Sequence, residues 1–176
     1  MSTYQIDSAH THAQFKVRHL MVSNVRGDFD KVTGTVEYDE ANPSASSINV
    51  TVDVNSISTR EPQRDAHLKS ADFFDVEKYP TITFVSKEVV KSGENSFEVV
   101  GDLTIHGVTQ SIDLEVEDVT PEMKDPFGLY RRGATAKATI LRKDFGLVYN
   151  AVLEAGGVAI SDEVHITIDT EFTRKA

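Results

Sequence analysis

The stretch Ile48-Asn49-Val50-Thr51-Val52-Asp53-Val54 decides the fold. Its aliphatic residues fall on every second position, with polar residues between them. Successive side chains of an extended chain point to opposite faces, so this is a strand with one face in a core and one in water. The same period returns later, where Val164, Ile166, Ile168 and Phe172 alternate with His165, Thr167, Asp169 and Glu171. Further segments carry it: Ala13/Phe15/Val17, Val32/Gly34/Val36/Tyr38, Ile82/Phe84, Phe97/Val99/Gly101/Leu103/Ile105, Ile112/Leu114/Val116 and Ala134/Ala136/Ala138/Ile140. Together these predict eight strands. His106-Gly107 supplies a tight hairpin, because glycine tolerates positive φ. Asn42–Ser46 and Lys91–Asn95 read as loops. The turns recur at antiparallel spacing, without the helical crossovers that parallel strands need.

One region breaks the alternation. Pro62 suits the first turn of a helix, and Gln63-Arg64-Asp65-Ala66-His67-Leu68-Lys69 continues it with good helix formers. Phe73-Phe74-Asp75-Val76 and Tyr79-Pro80 follow as an apolar segment. The prediction is a short helix and a capping loop over one end of the sheet. Gly156-Gly157 lacks phosphate-loop spacing and reads as a turn.

The chain has 176 residues and reads as one domain, residues 1–176. Eighteen Lys+Arg stand against 28 Asp+Glu, a net charge of −10. Such an acidic chain is a poor candidate for nucleic acid, or for an anionic membrane by charge alone. No cysteine is present, which excludes disulfides, a thiolate nucleophile and Cys-ligated zinc. The first residues carry no basic-then-apolar leader, and no apolar run nears the roughly 18 residues of a spanning helix. The expectation is a cytoplasmic protein with no integral membrane segment.

Antiparallel strands with one apolar face form a sandwich or close into a barrel. The inner faces carry almost no charge on this reading, which favours binding over catalysis. Ala134, Ala136 and Ala138 on one face, and Gly101 on another, either leave volume for an apolar chain or pack against longer partners. The inward rows give the candidate lining. From the first half of the chain it comprises Phe15, Val17, Phe29, Val36, Val50, Val52 and Phe84. From the second it comprises Leu103, Ile105, Ile112, Leu114, Ala136, Ala138, Phe145, Ile166 and Ile168.

Polar candidates are fewer. Arg64 and His67, three apart on the helix, share a face and can meet a phosphate or carboxylate head group; alternatively Arg64 pins the helix through a nearby carboxylate. His10, His19 and Arg142 stand behind them as head-group candidates. Arg131-Arg132 and Arg142-Lys143 read as solvated surface or as a basic rim. His10 and His12 share a strand face, and the six histidines admit a metal site, but no HExxH spacing supports one. No GxSxG occurs, so nucleophilic serine catalysis has no support.

Ile6-Asp7-Ser8-Ala9-His10, Phe15-Lys16-Val17-Arg18-His19-Leu20-Met21-Val22 and Val25-Arg26-Gly27-Asp28-Phe29 stand in order along the chain. Arg64-Asp65-Ala66-His67-Leu68, Phe73-Phe74-Asp75-Val76 and Tyr79-Pro80-Thr81-Ile82-Thr83-Phe84 follow. Gly101-Asp102-Leu103-Thr104-Ile105-His106-Gly107-Val108-Thr109 and Arg142-Lys143-Asp144-Phe145-Gly146 complete the set. In these segments the chain resembles the YceI-like, polyisoprenoid-binding family. The resemblance implies an all-β fold: an eight-stranded antiparallel, lipocalin-like barrel with a short helical cap. It implies an elongated apolar cavity for a polyisoprenoid or fatty-acid-like lipid, and a homodimer. It implies no cofactor and no catalytic residue. The expected function is therefore non-enzymatic lipid binding for carriage, storage or sensing. The alternative is a metal- or histidine-dependent enzyme acting on an apolar substrate.

Overall fold

The structure is a computed structural model that describes residues 1–150, 153 and 159–176. The first strands are β1 (Ser2–Ile6), β2 (His12–His19), β3 (Ser23–Phe29), β4 (Val32–Tyr38), β5 (Ser47–Asp53) and β6 (Ile57–Ser58). One helix, α1 (Pro62–Lys69), comes next. Then follow β7 (Thr81–Lys91), β8 (Phe97–Ile105), β9 (Val108–Glu117), β10 (Met123–Lys124), β11 (Tyr130–Leu141) and β12 (Ile160–Arg174). The Gly156-Gly157 turn lies outside the described residues.

Eight strands close a ring in the order β1-β4-β5-β7-β8-β9-β11-β12, and every neighbouring pair is antiparallel. Closure removes the unpaired edges that an open sheet would present. β12 makes the closure possible. One of its edges pairs with β11 from Leu141↔Glu163 to Tyr130↔Arg174. Its other edge is shared: β1 takes Phe172 and Thr173, while β2 takes Ile160 to Asp169. The hairpin β2–β3, with β6 beyond it, therefore extends the sheet past the ring at one end. The ring uses β1 where the alternation had offered β2. β1 is short, and only Tyr4 of it is buried, so it leaves little pattern to read.

Local chemistry sets the connections. The β8–β9 hairpin turns in two residues, with His106 at φ 53° and Gly107 at φ 72°, the left-handed pair of a type I′ turn. A Cβ on Gly107 would stand 2.6 Å from the Tyr79 ring, so glycine is required there twice over. α1 begins where expected: the Glu61 carboxylate accepts from the amides of Gln63 and Arg64, and Pro62 occupies the first turn, where no backbone donor is needed.

The end of the barrel away from α1 is solid. Val89, Phe97 and Val99 are buried there, and Tyr38 meets Phe97 edge-on with centroids 6.0 Å apart. Below them lies a polar plug. Arg132, only 7% exposed, donates to the Tyr4 hydroxyl, to the Thr120 carbonyl and to Glu40. Tyr4 donates in turn to Glu122, which also accepts two bonds from Arg174 at 2.6 and 2.8 Å. The doublet expected as solvated surface or a basic rim is thus neither: Arg132 is buried and Arg131 is half-buried among carboxylates. Arg132 is buried in this plug because it lies on the inward parity of β11, two residues before Ala134.

Its neighbour Arg131 occupies a second cluster, donating to Asp7 at 2.6 Å, to Asp125 at 3.1 Å and to Glu171. Its guanidinium, above all, holds the Asp7 carboxyl below the usual range, with burial acting against it and His10 assisting. A carboxylate whose folded pKa is depressed stabilises the fold above its unfolded value and loses that contribution as pH falls through the folded one. Asp7 and Glu122, whose ordinary values are 3.8 and 4.5, should therefore release stability as the solution is acidified below that window. An Arg131→Gln variant is expected to melt lower than the parent at pH 7, with the gap closing towards pH about 2 as the carboxylates protonate. Thermal melts across that range are the check; a gap independent of pH would remove the ion cluster as its source.

Candidate functional site

The half of the barrel nearest α1 is hollow. It encloses a cavity of about 470 Å³ whose walls are almost wholly apolar. Phe15 and Val17 of β2, Phe29 of β3, Val50 and Val52 of β5 and Phe84 of β7 line it. Leu103 and Ile105 of β8, Ile112 and Leu114 of β9, and Ile166 and Ile168 of β12 complete the expected rows. The lining stops at a common level. Val99 and Phe97 lie further along β8 and Val116 along β9, and all three belong to the packed region. The cavity is therefore blind: open towards α1 and floored by side chains.

Two glycines shape the walls. A Cβ on Gly101 would stand 2.3 Å from Phe84 Cζ, and one on Gly27 would stand 2.3 Å from Phe15 Cζ. Each ring reaches over a glycine on the adjacent strand and occupies the space a side chain there would need. Of the two alternatives for Gly101, empty volume or a longer partner packed over it, the structure shows the longer partner. The Phe84 ring takes that space.

Four expected lining residues stand outside the cavity. Val36 lies on β4 between Tyr4 and Ile48, at the level of the floor. Ala138 packs on the solid core, and Ala136 lies beyond it along β11 towards the plugged end. Phe145 is 1% exposed and anchors the single turn Arg142–Phe145 inside the core. The alanine row shares the inward parity of β11 with Arg132 and Ile140, but none of its three residues lines the cavity. Conversely, Ala13, Ile82, Ile140 and Val164 line the cavity from rows whose parity was already legible. Leu68, Phe73 and Phe74 reach it from α1 and the capping loop, and Val25 of β3 had no pattern to announce it.

The mouth carries the polar groups. Arg64 borders it, with Nε donating to the Thr59 hydroxyl and Nη2 to the Thr59 carbonyl, both at 2.7 Å. The same hydroxyl donates to Asp65 at 2.5 Å. Arg64 is thus pinned through a threonine relay and not by a direct ion pair. His67 lies 2.8 Å from Asp72, and its ring meets those of Phe73 and Tyr149 with centroids 5.0 Å apart. His19 and Arg18 complete the rim, and no carboxylate is among the described lining residues.

Arg142 also touches the cavity, but as a strut. It is 4% exposed and donates to the carbonyls of Leu147 (2.6 Å), Tyr149 (2.8 Å), Ser161 (2.9 Å) and Ile160 (3.3 Å). Burial lowers its pKa from the ordinary value, with Asp162 acting against this. Four of its five donors are thereby engaged, which leaves little for a head group.

His10 lies elsewhere, 2.8 Å from Asp7 in the Arg131 cluster. Asp7, His10 and Glu171 bring ligand-type atoms within 4.8 Å of one another, and Arg131 already bonds both carboxylates. The guanidinium supplies the positive charge that a metal ion would bring. Among the other histidines, His106 packs on Tyr79 and His165 bonds Thr139, at separate places on the barrel. Of the described histidines only His19 and His67 share the cavity mouth, and His10, His106 and His165 stand apart from it.

A closed eight-stranded antiparallel barrel with a blind apolar cavity belongs to the lipocalin-like class of architectures. Within that class the family is defined: the chain belongs to the YceI-like family, whose domain model matches residues 4–172. It is 39% identical over 174 residues to a UPF0312 protein of Pectobacterium carotovorum, covering 98% of this chain and 86% of that one. It is 38% identical over 175 residues to one from Staphylococcus aureus, covering 98% of both. A YceI protein of Campylobacter jejuni superposes with a TM-score of 0.74 at 30% identity, covering 90% of each chain. A polyisoprenoid-binding domain from Saccharophagus degradans shares the fold, with a TM-score of 0.69 at 18% identity, over 96% of this chain and 97% of that one. No helix among the described residues is long and apolar enough to cross a membrane.

Proposed function

We propose that this is a non-enzymatic lipid-binding protein that takes the tail of a polyisoprenoid, or of a similar long-chain amphiphile, into the barrel. The observation that carries the reading is the blind apolar cavity, about 470 Å³ and inside the usual size range of small-molecule sites. Each CH₂ transferred from water into it contributes about 0.8 kcal/mol, so a few isoprene units provide the affinity without strong polar contacts. The fold shared with a domain named for polyisoprenoid binding supports the same class of ligand. Native mass spectrometry of the freshly purified protein, followed by organic extraction, tests it. A bound mass that leaves with the solvent is expected. A protein that arrives empty and takes up no added geranylgeraniol or geranylgeranyl phosphate would overturn the proposal.

The head group stays at the mouth, beside Arg18, His19, Arg64 and His67. Among the described residues the cavity lining holds Arg18 and Arg64 and no carboxylate, with Asp72 behind His67, which favours a phosphate or carboxylate over a neutral or cationic group. Geranylgeranyl phosphate is expected to bind about tenfold more tightly than geranylgeraniol, a charge-assisted hydrogen bond's worth. Arg64→Gln should shrink that ratio. Equal affinities in the parent would remove the head-group assignment and leave the tail site standing.

A further inference from the structure

Beside the mouth the β2–β3 hairpin ends in an apolar tip. Leu20, Met21 and Val22 are 41%, 57% and 73% exposed. Leu20 and Met21 sit at φ 50° and 61°, the left-handed region that large side chains avoid and that Asn-Gly would occupy with less strain. Residues 11–27 contain Lys16, Arg18 and Arg26 and no Asp or Glu, in a chain of net charge −10. Lys16 and Arg26 face each other across the hairpin, and the Arg18 guanidinium holds the turn through the Met21 carbonyl at 3.3 Å. The acids that begin β12 are already accompanied, Asp162 by Lys143 at 3.1 Å and Glu163 by His165 at 3.9 Å. The tip is joined to the mouth: His19 and Arg18 line the cavity, and the Leu20 amide donates to the Ala159 carbonyl at 2.8 Å on the rim.

We infer that this tip docks on the surface of a bilayer containing anionic lipid, so that the cavity mouth faces the membrane and the tail exchanges without crossing water. The inference rests on the lipid-binding reading for its purpose, but docking itself needs no ligand. Charge selects the occupant. In a two-fold contact between copies the same patch meets itself, setting Arg18 and Arg26 against their own like charges. An anionic bilayer neutralises them while its interface accepts Leu20, Met21 and Val22. The chain's overall acidity does not prevent this, because at about 0.1 M salt screening limits the field to about 10 Å, and Arg18 and Arg26 are the charges nearest the tip along the hairpin, while the acids Glu98, Asp113 and Glu115 share the outer groove with Lys16 further back.

Flotation with vesicles of pure phosphatidylcholine, and with vesicles holding a third phosphatidylglycerol, tests the inference. The parent should float with the anionic vesicles at about 0.1 M salt, at least about tenfold more than with neutral ones, and release at about 1 M. Lys16→Glu with Arg26→Glu, and separately Met21→Ser with Val22→Ser, should each abolish flotation. None of these four residues lines the cavity, so uptake of a soluble isoprenoid probe and the thermal melt should match the parent, which certifies the fold. Equal recovery with both vesicle types, or none with either, overturns the inference. So does a dimer in sedimentation that Met21→Ser with Val22→Ser dissolves without vesicles present, which would assign the tip to a second copy. Failure here with a retained probe leaves the lipid-binding reading intact, whereas loss of the probe with retained flotation overturns that reading alone.

Discussion

A Val50→Trp variant should fold and fail to bind a long-chain isoprenoid, with affinity reduced by two orders of magnitude or more. Val50 lines the cavity from β5, directly across from Phe84, and is only partly buried because its side chain borders empty space. An indole placed there grows into the void and not into packed atoms, so the usual overpacking cost of about 1–3 kcal/mol does not apply in full. What it removes is room for several methylene groups, each worth about 0.8 kcal/mol. Four such groups already exceed 3 kcal/mol, which is more than a hundredfold in affinity. A fluorescent polyprenyl titration with a parallel thermal melt is the measurement. Gly27→Ala reaches the same end indirectly, since its Cβ would displace the Phe15 ring from the wall into the lumen. If both variants bind as the parent does, the tail lies somewhere other than this cavity.

Arg142→Ala should be among the most destabilising single changes in the protein, lowering stability by about 3 kcal/mol or more. Its guanidinium gathers the carbonyls of Leu147 and Tyr149 on one side and of Ile160 and Ser161 on the other. Removing it strands several of these acceptors, and each buried acceptor left without a donor costs about 1–3 kcal/mol. Water entering the vacated space offsets part of this, which holds the total near the lower sum. Arg142→Lys restores charge but offers three donors from a single point, so it should recover only part of the loss. Urea denaturation of the three proteins gives the ranking. Near-parental stability for Arg142→Ala would show that the strut has no load.

The antiparallel strands were legible in the sequence because a period of two survives wherever one face is dry and the other wet; alternation alone left a sandwich or a barrel open, and the family resemblance implied the barrel. Eight segments carried that period, and the helix announced itself through Pro62 and the residues after it. Depth along the barrel was not legible. Alternation assigns a side chain to the inner face but is silent on whether the interior beside it is hollow or filled, so it does not distinguish Val36, Ala136 and Ala138, which stand outside the cavity, from the residues that line it. Size is silent in the same way: Gly101 is small because Phe84 lies over it. The two buried arginines did leave a signal. Arg132 and Arg142 continue the inward row Ala134, Ala136, Ala138, Ile140 at its two ends. A cation on a dry row must bring its own acceptors, and both do, at the plugged end and at the rim. For Arg64 and His67 helical spacing gave a shared face and no more. The threonine that fixes Arg64 was invisible, since nothing in a chain distinguishes one buried hydroxyl from another.

The shared edges of β12 bear on how the molecule comes into being. This strand is translated after every other strand it joins, yet it joins three of them: β1, β2 and β11. Until it emerges from the ribosome, the amino-terminal strands have no partner on that side and the oily interior has no last stave. The nascent chain must therefore wait as an open, sticky sheet, a natural client for chaperones, and it cannot mature from its beginning forward.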